Sequence, residues 1–375
     1  MNTSDVIVIG AGAIGSATAY YLARRGLKVT VLEKDGCVGV GGSSRNGGGV
    51  RQSGRHPAEL PLAMYGVKHM WPNLSEELGV DVEYYQKGNL RLGKTEAHMG
   101  ILRGLTESCV AGGLDMRLID FKEAKEICPY LSEEIVGAGW CPTDGHANPM
   151  LVTLAYYRAA RQNGVRYVSG AEVTELRKVR GRVSEVVTAN GDVYSAGRVA
   201  VTAGYDSRKI LSSVGLDVPM SPLLMECIVT EEAPHMFWQM LGTAMADFYG
   251  HQSKHGSFVF GGTHGYEAYA AYDGGARGAS VAVPSTCRAI IGYFPVLRTL
   301  KVVRSWAGWL DECVDHIPVM DNPEETPGLT VGCGFSGHGF GISPVVGTLL
   351  ADLVVGDAPL LDVSKFKYDR FKAKI

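Results

Sequence analysis

Between Asp5 and Asp35 the chain reads DVIVIGAGAIGSATAYYLARRGLKVTVLEKD, and few stretches restrict a fold more. Val6 to Ile9 is a short β-branched run of the kind buried on both faces of a parallel sheet. Gly10, Gly12 and Gly15 follow as GxGxxG, Ala13 to Arg25 carries good helix formers, and Gly26 closes the helix. Lys28 to Leu32 reads as a second strand with Glu33 at its end. Strand, glycine turn, helix, strand and terminal acid together form a dinucleotide-binding βαβ unit. Gly10 permits the tight turn, Gly12 lets backbone approach a pyrophosphate, and Gly15 lets helix pack on strand. Ala13 and Ile14 begin the helix, whose free N–H groups and partial positive charge suit phosphate. Glu33 is placed to accept hydrogen bonds from ribose hydroxyls, with Lys34 beside it. The motif alone leaves NAD and FAD both open.

A second glycine-rich stretch, GVGGSSRNGGGVRQSGR from Gly39 to Arg55, follows directly. It reads as a loop on the ligand side of the sheet. Ser43 and Ser44 offer hydroxyls to a pyrophosphate. Gly47, Gly48 and Gly49 let main chain face a flat ring, and Arg45, Asn46 and Arg51 bring charge and hydrogen bonds to the same place. A NAD-dependent dehydrogenase explains the first motif but leaves this loop without a role.

Bulk properties narrow the partners. With 375 residues the chain can bury one large core or two interlocked ones. A formal net charge of −3 leaves no basic excess for nucleic acid or for a polybasic membrane anchor. No apolar run is long enough to span a bilayer, and no targeting segment is visible. The eight cysteines are scattered without a CxxC pair, which fits reduced thiols in a cytoplasmic protein better than disulfides or a metal site. Glycine is the outlier, at 49 residues, nearly double the usual share.

Near the end stands GFSGHGFGISP, Gly334 to Pro344. A hydrolase nucleophile turn needs GxSxG, and His338 occupies the second glycine's place. Instead, a strand from Leu329 to Cys333, the glycines, and a helix from Val345 to Val355 form another backbone cradle at a helix start. Ser336 and His338 then serve shape and hydrogen bonding.

The chain resembles the D-amino-acid-oxidase, glycine-oxidase and sarcosine-oxidase superfamily of FAD amine oxidoreductases. Among these it is most similar to the β subunits of heteromeric sarcosine, proline, hydroxyproline and opine dehydrogenases or oxidases. The resemblance rests on VIVIGAGAIG, Glu33, GGSSRNGGGVR, DGHANP (Asp144 to Pro149), VTAGYDS (Val201 to Ser207), RSWAGWLDECVDHIPVMD (Arg304 to Asp321) and GFSGHGFGISP. It implies an α/β fold in which a Rossmann-type FAD-binding domain is interleaved with an antiparallel-sheet α+β substrate domain. The implied division gives 1–85, 144–220 and 306–375 to the first and 86–143 and 221–305 to the second. It also implies further cofactor contacts: Val173 at the adenine, Ala203 and Gly204 at a strand end, and Trp306, Gly308, Gly334, Gly337, His338 and Gly339 around the flavin.

The implied reaction is hydride transfer from a C–N bond beside a carboxylate to noncovalent FAD. The substrate is a small amine or amino acid. Family carboxylate anchors are missing: where monomeric sarcosine oxidases carry lysine this chain has Gly341, and WAGWLDE offers no arginine. Arg51 is the substitute, and His264 closes the strand expected to cover the ring. Neither Cys313 nor His146 is in step for a covalent flavin link. Absence of a lysine from GSFVFGGTH (Gly256 to His264) favours a dehydrogenase over an oxidase. The likeness to β subunits implies an electron-accepting partner chain and a hetero- or homo-oligomer. A flavin-binding protein without catalysis is the remaining rival.

Overall fold

The computed structural model describes residues 3–262 and 281–374. Two eight-stranded sheets organise them. In the first, parallel strands run in the order Leu329–Cys333, Val193–Val201, Thr3–Ile9, Val29–Leu32 and Arg166–Val168. Val319–Asp321 adds antiparallel at one edge. The hairpin of Val173–Val179 and Arg182–Thr188 pairs on the beginning of Val193–Val201. Its turn is Arg180-Gly181 with φ of 51° and 79°, the positive-φ pair that the twist of a hairpin favours.

Thr3–Ile9 is central, and its burial explains its sequence. Val6 and Val8 enter one core, against the helices Ala13–Arg24, Pro149–Gln162 and Gly339–Val355. Ile7 and Ile9 enter another, beneath the hairpin and the helix Ser207–Ser212. An apolar residue is therefore required at every position from Val6 to Ile9. The helix Ala13–Arg24 packs close to Gly339–Val355 because Gly347 has no side chain; a Cβ there would lie 2.5 Å from that of Ala17. The last helix begins at Gly339, six residues before the start read from the sequence. Pro344 lies inside it, and Trp71 Nε1 donates to the Gly341 carbonyl at 2.8 Å.

The second sheet runs Val302–Cys313, Met220–Glu232, Ser257–Gly262, Tyr249–Gln252, Met240–Thr243, Asn89–Gly93, Gly137–Cys141 and Arg117–Asp120. Every neighbouring pair is antiparallel except one. Met240–Thr243 runs parallel to Asn89–Gly93, because there the two separate chain segments meet. Val302–Cys313 crosses the expected division at 305/306, pairing with Met220–Thr230 from Cys313 back to Val302. Phe248, Phe258, Phe260 and Leu90 fill the core on the outer face. Tyr249, His251 and Met240 alternate to the inner face, toward the loop 47–51. No helix among the described residues is long and apolar enough to cross a membrane.

Candidate active site

A cleft of about 520 Å³ opens at the ends of the parallel strands where their order reverses, lined by Ile9, Gly10, Gly12, Ala13, Ile14 and Glu33 among others. The first glycines differ in what demands them. Gly10 has φ +100°, and a Cβ there would meet the Thr202 carbonyl at 2.7 Å. A Cβ on Gly15, on the buried face of the helix's first turn, would stand 2.0 Å from the Gly10 carbonyl oxygen. Gly12 precedes the helix, and a Cβ there would meet only the Ser43 hydroxyl, at 3.0 Å. That hydroxyl accepts the Ala13 N–H at 2.8 Å.

Glu33 is 8% exposed. Its carboxylate accepts from Ala11 N at 2.7 Å and Asp35 N at 3.0 Å, which fixes both oxygens at the cleft wall. Burial raises its pKa, and the two N–H bonds act against that rise. Lys34 lies on the rim and pairs with Asp206 at 2.6 Å. Val173, Ala203 and Gly204 line the same end. At Gly41 and Gly204 an added Cβ would meet nothing within 4 Å, so ligand space adjoins the backbone there.

The glycine-rich loop divides in two. Ser43, Arg45 and Asn46 line the cleft; Ser44 turns its hydroxyl back to the Val40 carbonyl at 3.2 Å. Asn46 accepts from Gly48 N at 2.8 Å. Gly47, Gly48 and Gly49 lie against the second sheet. A Cβ would meet the Tyr249 ring at 2.7 Å, the Ala147 carbonyl at 2.3 Å and Met240 at 3.2 Å respectively. The Arg45 carbonyl accepts from Trp306 Nε1 at 3.1 Å and from the Cys227 thiol at 3.3 Å. Gly308 lies under Arg45, whose Cβ would be 2.4 Å from a Cβ at that glycine.

Asp311, which sequence reasoning passed over, organises the last loop. It lines the cleft, and its Oδ2 accepts from Gly334 N at 2.7 Å and Phe335 N at 3.1 Å. Burial pushes its pKa up to about 6, against the pull of these bonds. Ser336, with φ 48°, accepts the Cys313 N–H at 3.0 Å, a structural role. Gly337 and Gly339 line the cleft, whereas Gly334 packs over Cys313, which is buried. The His338 ring turns away to Glu59, Nδ1 to Oε2 3.0 Å. Gly341 lies inside the helix, where a Cβ would meet Arg55 Nη2 at 2.6 Å and the Gly49 carbonyl at 3.1 Å. A side chain at 341 has no room.

Arg51 folds back over Gly49, with Nε 3.3 Å from where a Cβ would stand, beside Met240. No carboxylate lies within ion-pair distance among the described residues. Behind Gly48, His146 and His251 stack at 3.8 Å. Burial holds His146 well below the usual imidazole range and His251 at about 4, so both are neutral. His264 lies outside the described residues. The cleft thus combines open space at glycine backbone, a helix start, a fixed carboxylate and a buried loop, a donor and acceptor set that fits a dinucleotide cofactor.

A family model described as FAD dependent oxidoreductase, DAO, matches residues 5–353. The beta chain of sarcosine oxidase from Rhodobacter capsulatus is 31% identical over 98% of this chain and 88% of that protein. One of the opine oxidase subunits of Rhizobium meliloti is 26% identical over 96% of this chain and 98% of that protein. Among solved structures, L-proline dehydrogenase from P. horikoshii superposes with a TM-score of 0.90 at 29% identity, covering 99% of this chain and 98% of that one.

Proposed function

This chain belongs to the DAO family of FAD-dependent oxidoreductases, and on that premise we propose that it oxidises the C–N bond of a secondary amine or amino acid of the sarcosine, proline, hydroxyproline or opine type. The observation that carries this reading is Arg51. Its guanidinium stands between the glycine loop and the inner face of the second sheet, with no carboxylate of its own among the described residues. A substrate carboxylate supplies the missing charge.

FAD, when bound, supplies a two-electron acceptor for the hydride that leaves the carbon beside nitrogen. The chain's residues hold it and prepare the substrate. Glu33 would take ribose hydroxyls, Val173 main chain would meet the adenine, and the N–H groups from Ala13 with the Ser43 hydroxyl would take the pyrophosphate. Main chain at Gly308, Gly337 and Gly339, which lines the cleft, would lie along the ring. Ser44, Gly334 and the His338 side chain act behind that surface. The positive Arg51 disfavours another cation nearby, and neutral His146 and His251 add no negative charge that would hold an ammonium, so the unprotonated amine that hydride loss requires is favoured. Cys313 and His146 are both engaged in buried contacts, which supports noncovalent FAD. Two relatives are named as subunits, which supports an electron-accepting partner for this chain.

The test is anaerobic mixing of the purified yellow protein with sarcosine, D- and L-proline, hydroxyprolines and opines. One of them bleaches the visible flavin absorbance. If none does while dithionite still reduces the flavin, the proposed substrate class fails.

A further inference from the structure

A second guanidinium reaches the acceptor used by Arg51. Arg91 lies on Asn89–Gly93, where Leu90 and Leu92 enter the outer core and Asn89 and Arg91 alternate to the opposite face. Arg91 Nη2 donates to the Ser53 carbonyl at 3.4 Å, and Arg51 Nη1 donates to that same oxygen at 3.4 Å. Two cations thus share one neutral acceptor at the long limit of a hydrogen bond. Arg91 Nε is buried with no partner.

The carboxylates nearby are already engaged. Asp144 accepts from Gln52 N at 2.6 Å, from Asn89 Nδ2 at 3.3 Å, and from both N–H and hydroxyl of Ser53. Glu59 faces Arg55 at 3.8 Å and His338 at 3.0 Å. Among the described residues, three guanidiniums, those of Arg51, Arg55 and Arg91, therefore meet two carboxylates, and His338 adds no charge because burial lowers its pKa. One positive charge is left over. Burial lowers Arg91 only to about 10, so it remains charged at neutral pH.

Resting on the reading that the substrate carries a carboxylate, we propose that Arg91 is a second anion-binding residue and that Arg51 and Arg91 hold one carboxylate between them. One extra anion matches the single uncompensated charge. Arg91 Nε and terminal nitrogens offer a planar fork for bidentate contact, which lysine lacks. A substrate without a carboxylate leaves both guanidiniums unpaired, so the pair selects amino acids over simple amines.

The experiment titrates the FAD-loaded protein with acetate and, separately, pyrrole-2-carboxylate, reading the shift of the visible flavin spectrum. Arg91→Met weakens carboxylate binding about 10- to 100-fold, the range of a lost charge-assisted bond, with flavin content unchanged. Arg91→Lys retains part of the affinity. Combining Arg91→Met with Arg51→Met loses less than the two single effects multiplied, because both act on one ligand. Unchanged carboxylate affinity in folded, yellow Arg91→Met and Arg91→Lys proteins overturns the proposal. If carboxylates bind through Arg91 yet no amino acid bleaches the flavin, the anion site stands and the proposed reaction falls.

Discussion

Both terminal nitrogens of the buried Arg55 guanidinium donate to the His338 carbonyl, at 3.1 and 3.2 Å. Its Nε donates to the Arg51 carbonyl at 2.6 Å. One side chain thereby joins the loop 47–51 to the loop before the last helix, the two segments that reach the proposed ring site from opposite ends of the sequence. Glu59, fully buried, faces the same guanidinium at 3.8 Å.

Arg55→Met removes the tie and leaves Glu59 buried without its cation. Breaking a buried pair from one side costs roughly 3–5 kcal/mol. The expected result is a lower melting temperature and faster loss of flavin on dilution. Arg55→Met with Glu59→Gln recovers part of the stability, because the stranded charge is gone. Unfolding curves and flavin-release rates for both variants check this; equal stability of the single and double variants contradicts it.

Glycines can be sorted by what a methyl group would meet. At Gly15 it would stand 2.0 Å from the Gly10 carbonyl and 2.6 Å from Thr202 Oγ1, so strand and helix must separate. At Gly41 nothing lies within 4 Å. Gly15→Ala is expected to cost about 1–3 kcal/mol or more from overpacking and to release the cofactor. Gly41→Ala is expected to leave flavin-free stability within about 0.5 kcal/mol. Thermal unfolding without flavin, then flavin content, separates the two effects.

The parts readable from sequence were those whose reasons are local. The turn at Gly10, the helix after it, the Arg180-Gly181 hairpin and the strand Leu329–Cys333 depend on neighbours within a few residues. Arg55, Arg91 and Asp311 gave no such signal. Each is assigned its work by pairing between distant segments, as when the Ser53 carbonyl meets strand Asn89–Gly93. Composition also misleads in one respect. Gly47, Gly48 and Gly308 read as backbone facing a ligand, yet their missing side chains also make room for Tyr249, the Ala147 carbonyl and Arg45. Val302–Cys313 runs across 305/306 for a related reason: its pairing with Met220–Glu232 continues past the motif that marks the cofactor side.

Asp311 predicts a pH dependence. Its folded pKa, about 6, exceeds the ordinary value of 3.8. Its protonated form is therefore favoured by folding, and that contribution is complete below about pH 3.8 and lost as pH rises through 6. Two pKa units correspond to about 3 kcal/mol. Asp311→Asn can keep both N–H bonds, since a single oxygen accepts them. The flavin-free variant is expected to be more stable than the parent at pH 7 by up to that amount, with the difference vanishing by pH 4. Denaturant unfolding across this range decides it. A variant less stable than the parent at pH 7 would show that the ionised carboxylate is needed to hold Gly334 and Phe335.

The inner wall of the second sheet bears on where electrons go. Phe258 and Phe260 point to the outer core, which leaves Val259 and Gly261 of that strand on the inner face, beside Tyr249 and neutral His251. Strand Ser257–Gly262 brings no lysine or arginine to this wall, and the charges of Arg51 and of Arg91, which lies on the same face of the sheet, are assigned to the substrate carboxylate. An anion formed when oxygen accepts an electron would lack a fixed cation on that side, and electrostatic stabilisation of developing charge is a large term in enzyme rates. Stopped-flow reoxidation of the substrate-reduced protein is therefore expected to be slow in air and fast with an artificial dye. Introducing lysine at Val259 should speed the reaction with oxygen without the same gain for the dye. Fast reoxidation of the parent by oxygen, with stoichiometric peroxide, would make the chain an oxidase and remove the need for an electron-accepting partner.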